Sequence, residues 1–158
     1  MAGTILSHSN QPIMKSIRML LLASLAPFAL SPAALFAADH GSHGAHPAEL
    51  TKAQTKFLAN YEGVRASLAA DDLEAAKRSA ANITESQAAT QLSKAPSLNA
   101  GRVAFKKLSA EAIQIAKGHE GYYVANCPMA GSDWIQVTTK ISNPYLGREM
   151  ATCGSIKN

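Results

Sequence analysis

The chain has two cysteines, and no C-x-x-C pair contains either of them. That removes the ligand spacing of a zinc framework and leaves any metal reading to rest on donor chemistry. Aromatic residues are few and are not interleaved with the basic ones, so no stacking platform for single-stranded nucleic acid is expected. No Ser-His-Asp grouping, carboxylate pair or phosphate-cradling glycine loop stands out, and an enzyme is not expected. A cysteine with His119 is the one nucleophile–base pairing on offer, and sequence does not show their proximity. The net charge of +4 is small, and a pI near 9.2 does not by itself make the dense basic face that nucleic acid requires.

What is present begins with a targeting pattern. Lys15 and Arg18 precede an uncharged apolar run from Met19 to Ala37 that ends in small residues. A basic start, an apolar middle and a small-residue end predict a secretory signal peptide over 1–37. Pro27, Pro32 and the alanine-rich exit argue against a permanent membrane helix there. Met14 would make a more ordinary start, with 1–13 an upstream extension. Removing 1–37 leaves 121 residues with 13 basic and 11 acidic side chains, one nearly neutral domain of modest core. The expected location is a Gram-negative periplasm. Two cysteines in an oxidising compartment are usually bonded to each other.

Residues 38–47 are expected to be a flexible histidine-rich leader, with His40, His43 and His46 set among glycine, serine and alanine. Cleavage after Ala37 would begin the mature chain Ala38-Asp39-His40. A free amine with histidine third is a square-planar site for Cu(II) or Ni(II), and His43 and His46 would collect further metal.

Residues 48–157 are expected to form the folded domain. Its class is mainly α, an up-down bundle of three long helices with an irregular C-terminal cap. The first helix, about Ala48 to Ala69, aligns Leu50, Phe57, Tyr61, Val64 and Leu68 on one face. Asp71 or Asp72 caps the second, which carries Leu73, Ala76, Ala80 and Ile83 and runs through the sequon Asn82-Ile83-Thr84. Lys94 to Ser97 marks a loop. The third helix aligns Phe105, Leu108, Ala112 and Ile115 and stops at Gly118 and Gly121. Short connections predict antiparallel neighbours. The texture then turns aromatic and β-branched at Tyr122–Val124 and Trp134–Thr139, which suits short extended segments. Asn143-Pro144 is expected to open a short last helix, with Pro144 at its first position, over Tyr145–Cys153, and Gly154 its stop.

That cap holds both cysteines, two of the five methionines and the sole tryptophan. Cys127 and Met129 are two apart, and Met150 and Cys153 are three apart, one face of a helix turn. Brought together, the pairs offer two thiolates and two thioethers, soft donors that select Cu(I). Pro128 stiffens the backbone between the first pair. His119 adds a nitrogen donor upstream. The competing reading is a Cys127–Cys153 disulfide worth roughly 3–4 kcal/mol of stability, with both methionines filling core gaps.

The order Cys127-Pro128-Met129, then Trp134 followed by an apolar residue and Gln136, then Asn143-Pro144-Tyr145 with Gly147, then Met150 and Cys153-Gly154, resembles a bacterial exported family of unknown biochemical function. Phe105 to Ser109 also fits its pattern, and the likeness spans roughly residues 50–157. Members stand alone or are attached to adaptor subunits of copper-type heavy-metal efflux systems. The resemblance implies a helical exported domain that works near copper. The functional expectation is a periplasmic copper-binding protein that buffers the metal or passes it to efflux adaptor or pump components. The alternative is a disulfide-pinned structural or interaction module without specific metal affinity, in which Trp134 and Tyr145 pack the cap or face a partner.

Overall fold

The computed structural model describes residues 48–157. The expected signal segment 1–37 and the leader with His40, His43 and His46 lie outside them. Four helices come first: α1 (Lys52–Ala69), α2 (Leu73–Ala81), α3 (Gln87–Ser93) and α4 (Leu98–Ala116). A three-stranded antiparallel sheet follows, built from β1 (Tyr123–Cys127), β2 (Ser132–Gln136) and β3 (Ser155–Ile156) in the order β2-β1-β3. A four-residue 3-10 turn, Gly147–Met150, precedes β3. The expected up-down bundle of three long helices is therefore corrected to a helical layer carrying a small sheet.

Local chemistry explains each departure. The second helix divides because Asn82-Ile83-Thr84-Glu85-Ser86 combines β-branched residues with side chains that compete for backbone groups. Asn82 ends α2, and the Ser86 hydroxyl caps α3 by accepting from the Ala89 N–H. The sequon thus lies at a helix break. Helix α1 begins later than expected, where Thr51 and Gln54 form a reciprocal capping box. Asp72 caps α2, while Asp71 takes a left-handed conformation (φ 58°).

The last helix is cut short by Gly147, whose φ of +61° no right-handed helix accommodates. A side chain there would also run into the Asp71 carboxylate. That carboxylate accepts from the Arg148 N–H at 3.0 Å and pairs with the Arg102 guanidinium at 2.5 Å.

The Arg148 N–H, opposed by partial burial and aided by Arg102, holds the Asp71 carboxyl below its ordinary range. A folded-state value below the unfolded one means its stabilisation is complete above about pH 4 and is lost as pH falls through the lower folded value. Stability measured by urea unfolding from pH 5 to pH 2 should fall, and Asp71→Asn should flatten that acid limb. An unchanged slope would show that Asp71 does not tie the C-terminal loop down.

The core runs from α1 (Phe57, Leu58, Tyr61, Val64, Leu68) across α4 (Phe105, Leu108, Ala112) to Trp134 and Ile135 of β2. The expected helix faces are these buried ones, apart from Leu50, Leu73 and Ile115, which remain partly exposed. Among the described residues no helix is long and apolar enough to cross a membrane.

Candidate functional site

Strand pairing assembles the sulfur-bearing end. Asn126 of β1 pairs with Ser155 of β3, so Cys127 lies one residue beyond the pair and Cys153 two before it. The thiols meet with Sγ–Sγ 3.0 Å apart, unbonded, Cys127 buried and Cys153 half-buried. Gly154 makes this crossing fit: its φ is +132°, and a Cβ there would fall 2.7 Å from the Asn126 carbonyl oxygen. Chains from distant parts of the sequence approach here as closely as backbone allows.

The loop after Cys127 is Pro128–Gly131, closed by the Gly131 N–H donating to the Pro128 carbonyl at 3.1 Å. Pro128 has no N–H, so the loop offers its amides at Met129 and Ala130. Burial pushes the Cys127 thiol up, but the Cys153 thiol, the Ala130 amide, the Asn143 side chain and the Met129 amide outweigh it and leave it below the ordinary thiol range. Cys153 moves the other way, first because its hydrogen bond to Cys127 holds its proton and then through desolvation. The pair therefore favours one proton shared between a Cys127 thiolate and a Cys153 thiol.

Asn143 is the keystone of the second loop and is fully buried. Its Oδ1 accepts from the Tyr145 and Leu146 N–H groups at 2.8 and 3.1 Å, and its Nδ2 donates to the Cys153 carbonyl at 2.7 Å. Its own N–H donates to the Ala151 carbonyl at 2.8 Å. Asn143 thus supplies the cap at this turn. Two helix arginines clamp the same loop. Arg65 of α1 donates to the Ser142 carbonyl at 2.8 Å, and Arg102 of α4 donates to the Pro144 carbonyl at 3.0 Å.

Trp134 is fully buried and stands edge-on to Tyr145, ring centroids 6.0 Å apart. It packs the cap and faces no solvent. The Tyr145 hydroxyl donates to the Asp133 carbonyl at 2.9 Å, and burial pushes its pKa up to about 12.

Met129 and Met150 sit on the two cysteine-bearing loops and are 68% and 37% exposed, which corrects any core-filling role for them. His119 is not brought to the thiols. It lines a surface recess with Tyr122, Val124 and Ile135, toward the end of β1 away from Cys127, and among the described residues no three His, Cys, Asp or Glu side chains cluster.

No protein-family model, curated protein or solved structure matches the chain.

The donor set fits a soft ion on chemical grounds. Among the described residues no three His, Cys, Asp or Glu side chains cluster, so any ion here rests on the two thiolates with thioethers as further donors. A disulfide requires about 2.05 Å between sulfurs. Two thiolates on one ion stand roughly 4 Å apart, given metal–sulfur bonds of about 2.3 Å. The separation of 3.0 Å lies between these, and either outcome needs about 1 Å of movement.

Gln136 carries a structural role that its place in the sequence does not announce. It is fully buried, accepts from Trp134 Nε1 at 3.0 Å, and donates to the Thr138 and Lys140 carbonyls at 2.6 and 2.8 Å. The signal was a glutamine two residues after the tryptophan in an otherwise β-branched run, which places both on one strand face.

Proposed function

We propose that this chain is an exported copper-binding protein that holds Cu(I) at Cys127 and Cys153 and buffers it or passes it to heavy-metal efflux components. The observation that carries the reading is the meeting of two unbonded thiols 3.0 Å apart from positions 26 residues apart in sequence. The exposed thioethers of Met129 and Met150 on the same loops support it, because they offer an accessible soft rim. The basic-apolar-small pattern of residues 1–37 supports export to the periplasm, and the motif resemblance supports the link to efflux adaptors. His40, His43 and His46 would collect metal ahead of the folded end. His119 has no part in the thiol site.

The ion would supply no chemistry beyond being bound. What the chain does is keep one sulfur buried, with its thiol held below the ordinary range, and its partner near the surface, where a competing ligand reaches it.

The test is a competitive Cu(I) titration of fully reduced protein. The wild type should take up one ion per chain. A Cys127→Ser, Cys153→Ser double variant should lose affinity on the order of 100-fold or more, since disturbing residues that merely orient ligands already costs 10–100-fold. Far-UV circular dichroism confirms that the variant folds. Unchanged binding would overturn the site.

The same close approach supports a second reading, a disulfide that pins the cap of an interaction module. It predicts protein lighter by two hydrogens than its reduced form when taken directly from the exported compartment, with no specific metal uptake after reduction.

A further inference from the structure

The two sulfurs are close but not equivalent. Cys127 Sγ is sealed beneath the Pro128–Gly131 loop and the Asn143 side chain, with the residue fully buried. Cys153 is half-buried, on the segment between the 3-10 turn and β3, where its N–H donates to the Met150 carbonyl at 3.0 Å. An incoming disulfide of any bulk meets Cys153 first, and Cys127 waits 3.0 Å behind it. This is the arrangement of an attacking thiol with a resolving partner, in which access selects the first sulfur.

We infer that Cys127 and Cys153 form a dithiol–disulfide couple that exchanges with external disulfides of the glutathione class, Cys153 reacting first and Cys127 resolving. In the first step the proton of Cys153 passes across the 3.0 Å contact to Cys127, and the exposed Cys153 sulfur, now the thiolate, attacks one sulfur of the external disulfide. A Cys153–glutathione bond forms, the external S–S bond breaks, and one glutathione thiolate leaves with the electron pair. In the second step the Cys127 sulfur attacks the Cys153 sulfur, the internal bond forms, and the second glutathione leaves. Two electrons pass from the protein to the external disulfide, and the two protons of the thiol pair end on two glutathione thiols.

The inference rests on the same sulfur pair as the copper reading and adds a condition to it. A sulfur in a disulfide has no thiolate to offer a metal, so the oxidised chain releases Cu(I) and the reduced chain regains it.

The test treats reduced full-length protein with oxidised glutathione under native conditions, followed by acid quenching and intact mass. Wild type should lose two hydrogens without a lasting adduct. Cys127→Ser should accumulate one glutathione on Cys153. Cys153→Ser should react roughly tenfold or more slowly than Cys127→Ser, and catch up in denaturant, because only burial protects Cys127.

Peptide mapping of wild type quenched early checks the order without any variant: the transient adduct should sit on Cys153. An adduct on Cys127, equal rates in the two single variants, or no internal bond in wild type would overturn the inference. Failure of Cu(I) uptake with the exchange order intact would sink the copper reading alone. Copper uptake that persists in fully oxidised protein would sink the gating.

Discussion

Asn143→Ala should remove about 3–5 kcal/mol of stability, an unusually large loss for a side chain of this size. Truncation strands the N–H groups of Tyr145 and Leu146 and the Cys153 carbonyl, each bonded to this one side chain. An unsatisfied buried polar group costs about 1–3 kcal/mol, and the three do not add fully because water enters the opened loop. Urea unfolding followed by circular dichroism measures the loss. The same variant should expose the thiols, so alkylation of Cys127 in native protein should accelerate. Asn143→Asp does not rescue it, since the carboxylate keeps the two acceptor bonds but faces the Cys153 carbonyl without a donor. A loss under about 1 kcal/mol, within the ordinary value of one hydrogen bond, would show that the loop is held by its arginine clamps instead.

Trp134→Ala should cost about 3–5 kcal/mol through the cavity it leaves, a large share of the 5–15 kcal/mol that domains of this size possess. The ring fills the space between Tyr145 and the chain crossing at Gly154. Removing it also leaves the Gln136 side-chain Oε1 with only a long contact to the Ser142 N–H at 3.4 Å. Trp134→Phe should cost less, because an aromatic ring remains and chiefly the indole N–H bond and part of the packing are lost. Because this is the one tryptophan, unfolding must be followed by circular dichroism and not by fluorescence. Near-equal stability of the alanine variant and wild type would contradict the buried position described above.

The parts of the fold legible in the sequence are those whose information is local. Helices α1 and α4 follow from apolar spacing, and their stops from Ala70–Asp72 and Gly118, which takes a φ of +80°. The division of α2 from α3 was present in Asn82–Ser86, but the recurrence of Ala80 and Ile83 at a three-residue step outweighed it. The sheet was half legible. Tyr122–Val124 and Trp134–Thr139 read as extended, but β2 is Ser132–Gln136 and the chain bends from Val137 on, while β3 is only Ser155–Ile156, too short for any periodicity, and its pairing with β1 is a purely tertiary fact. The break at Gly147 is not legible in the sequence, because a glycine inside a helical pattern costs only about 1 kcal/mol and does not announce a left-handed backbone.

The site divides the same way. Cysteine, methionine and motif spacing named the sulfur-bearing end, but nothing in the sequence said that Asn143 would bridge its two loops. Nor did it say that Gln136 would anchor residues 138–142. Such buried amides act through bonds to backbone, and a backbone acceptor has no letter of its own. His119 is near Cys127 in sequence, but it sits beside Tyr122 and Val124, toward the other end of β1.

The arginine clamps bear on when the pole is built. Arg65 reaches Ser142 across 77 residues, and Arg102 reaches Pro144 across 42, whereas α1 to α4 are joined by connections of a few residues each. Closing long loops is slow, so the helices should condense early and the C-terminal loop should dock onto them late. Until that docking, Cys127 and Cys153 sit on separate, mobile stretches of chain with no enforced proximity. A newly emerging polypeptide would therefore spend its most vulnerable interval with two unprotected sulfurs, and the speed of the final docking sets how long stray oxidants have to cross-link it wrongly.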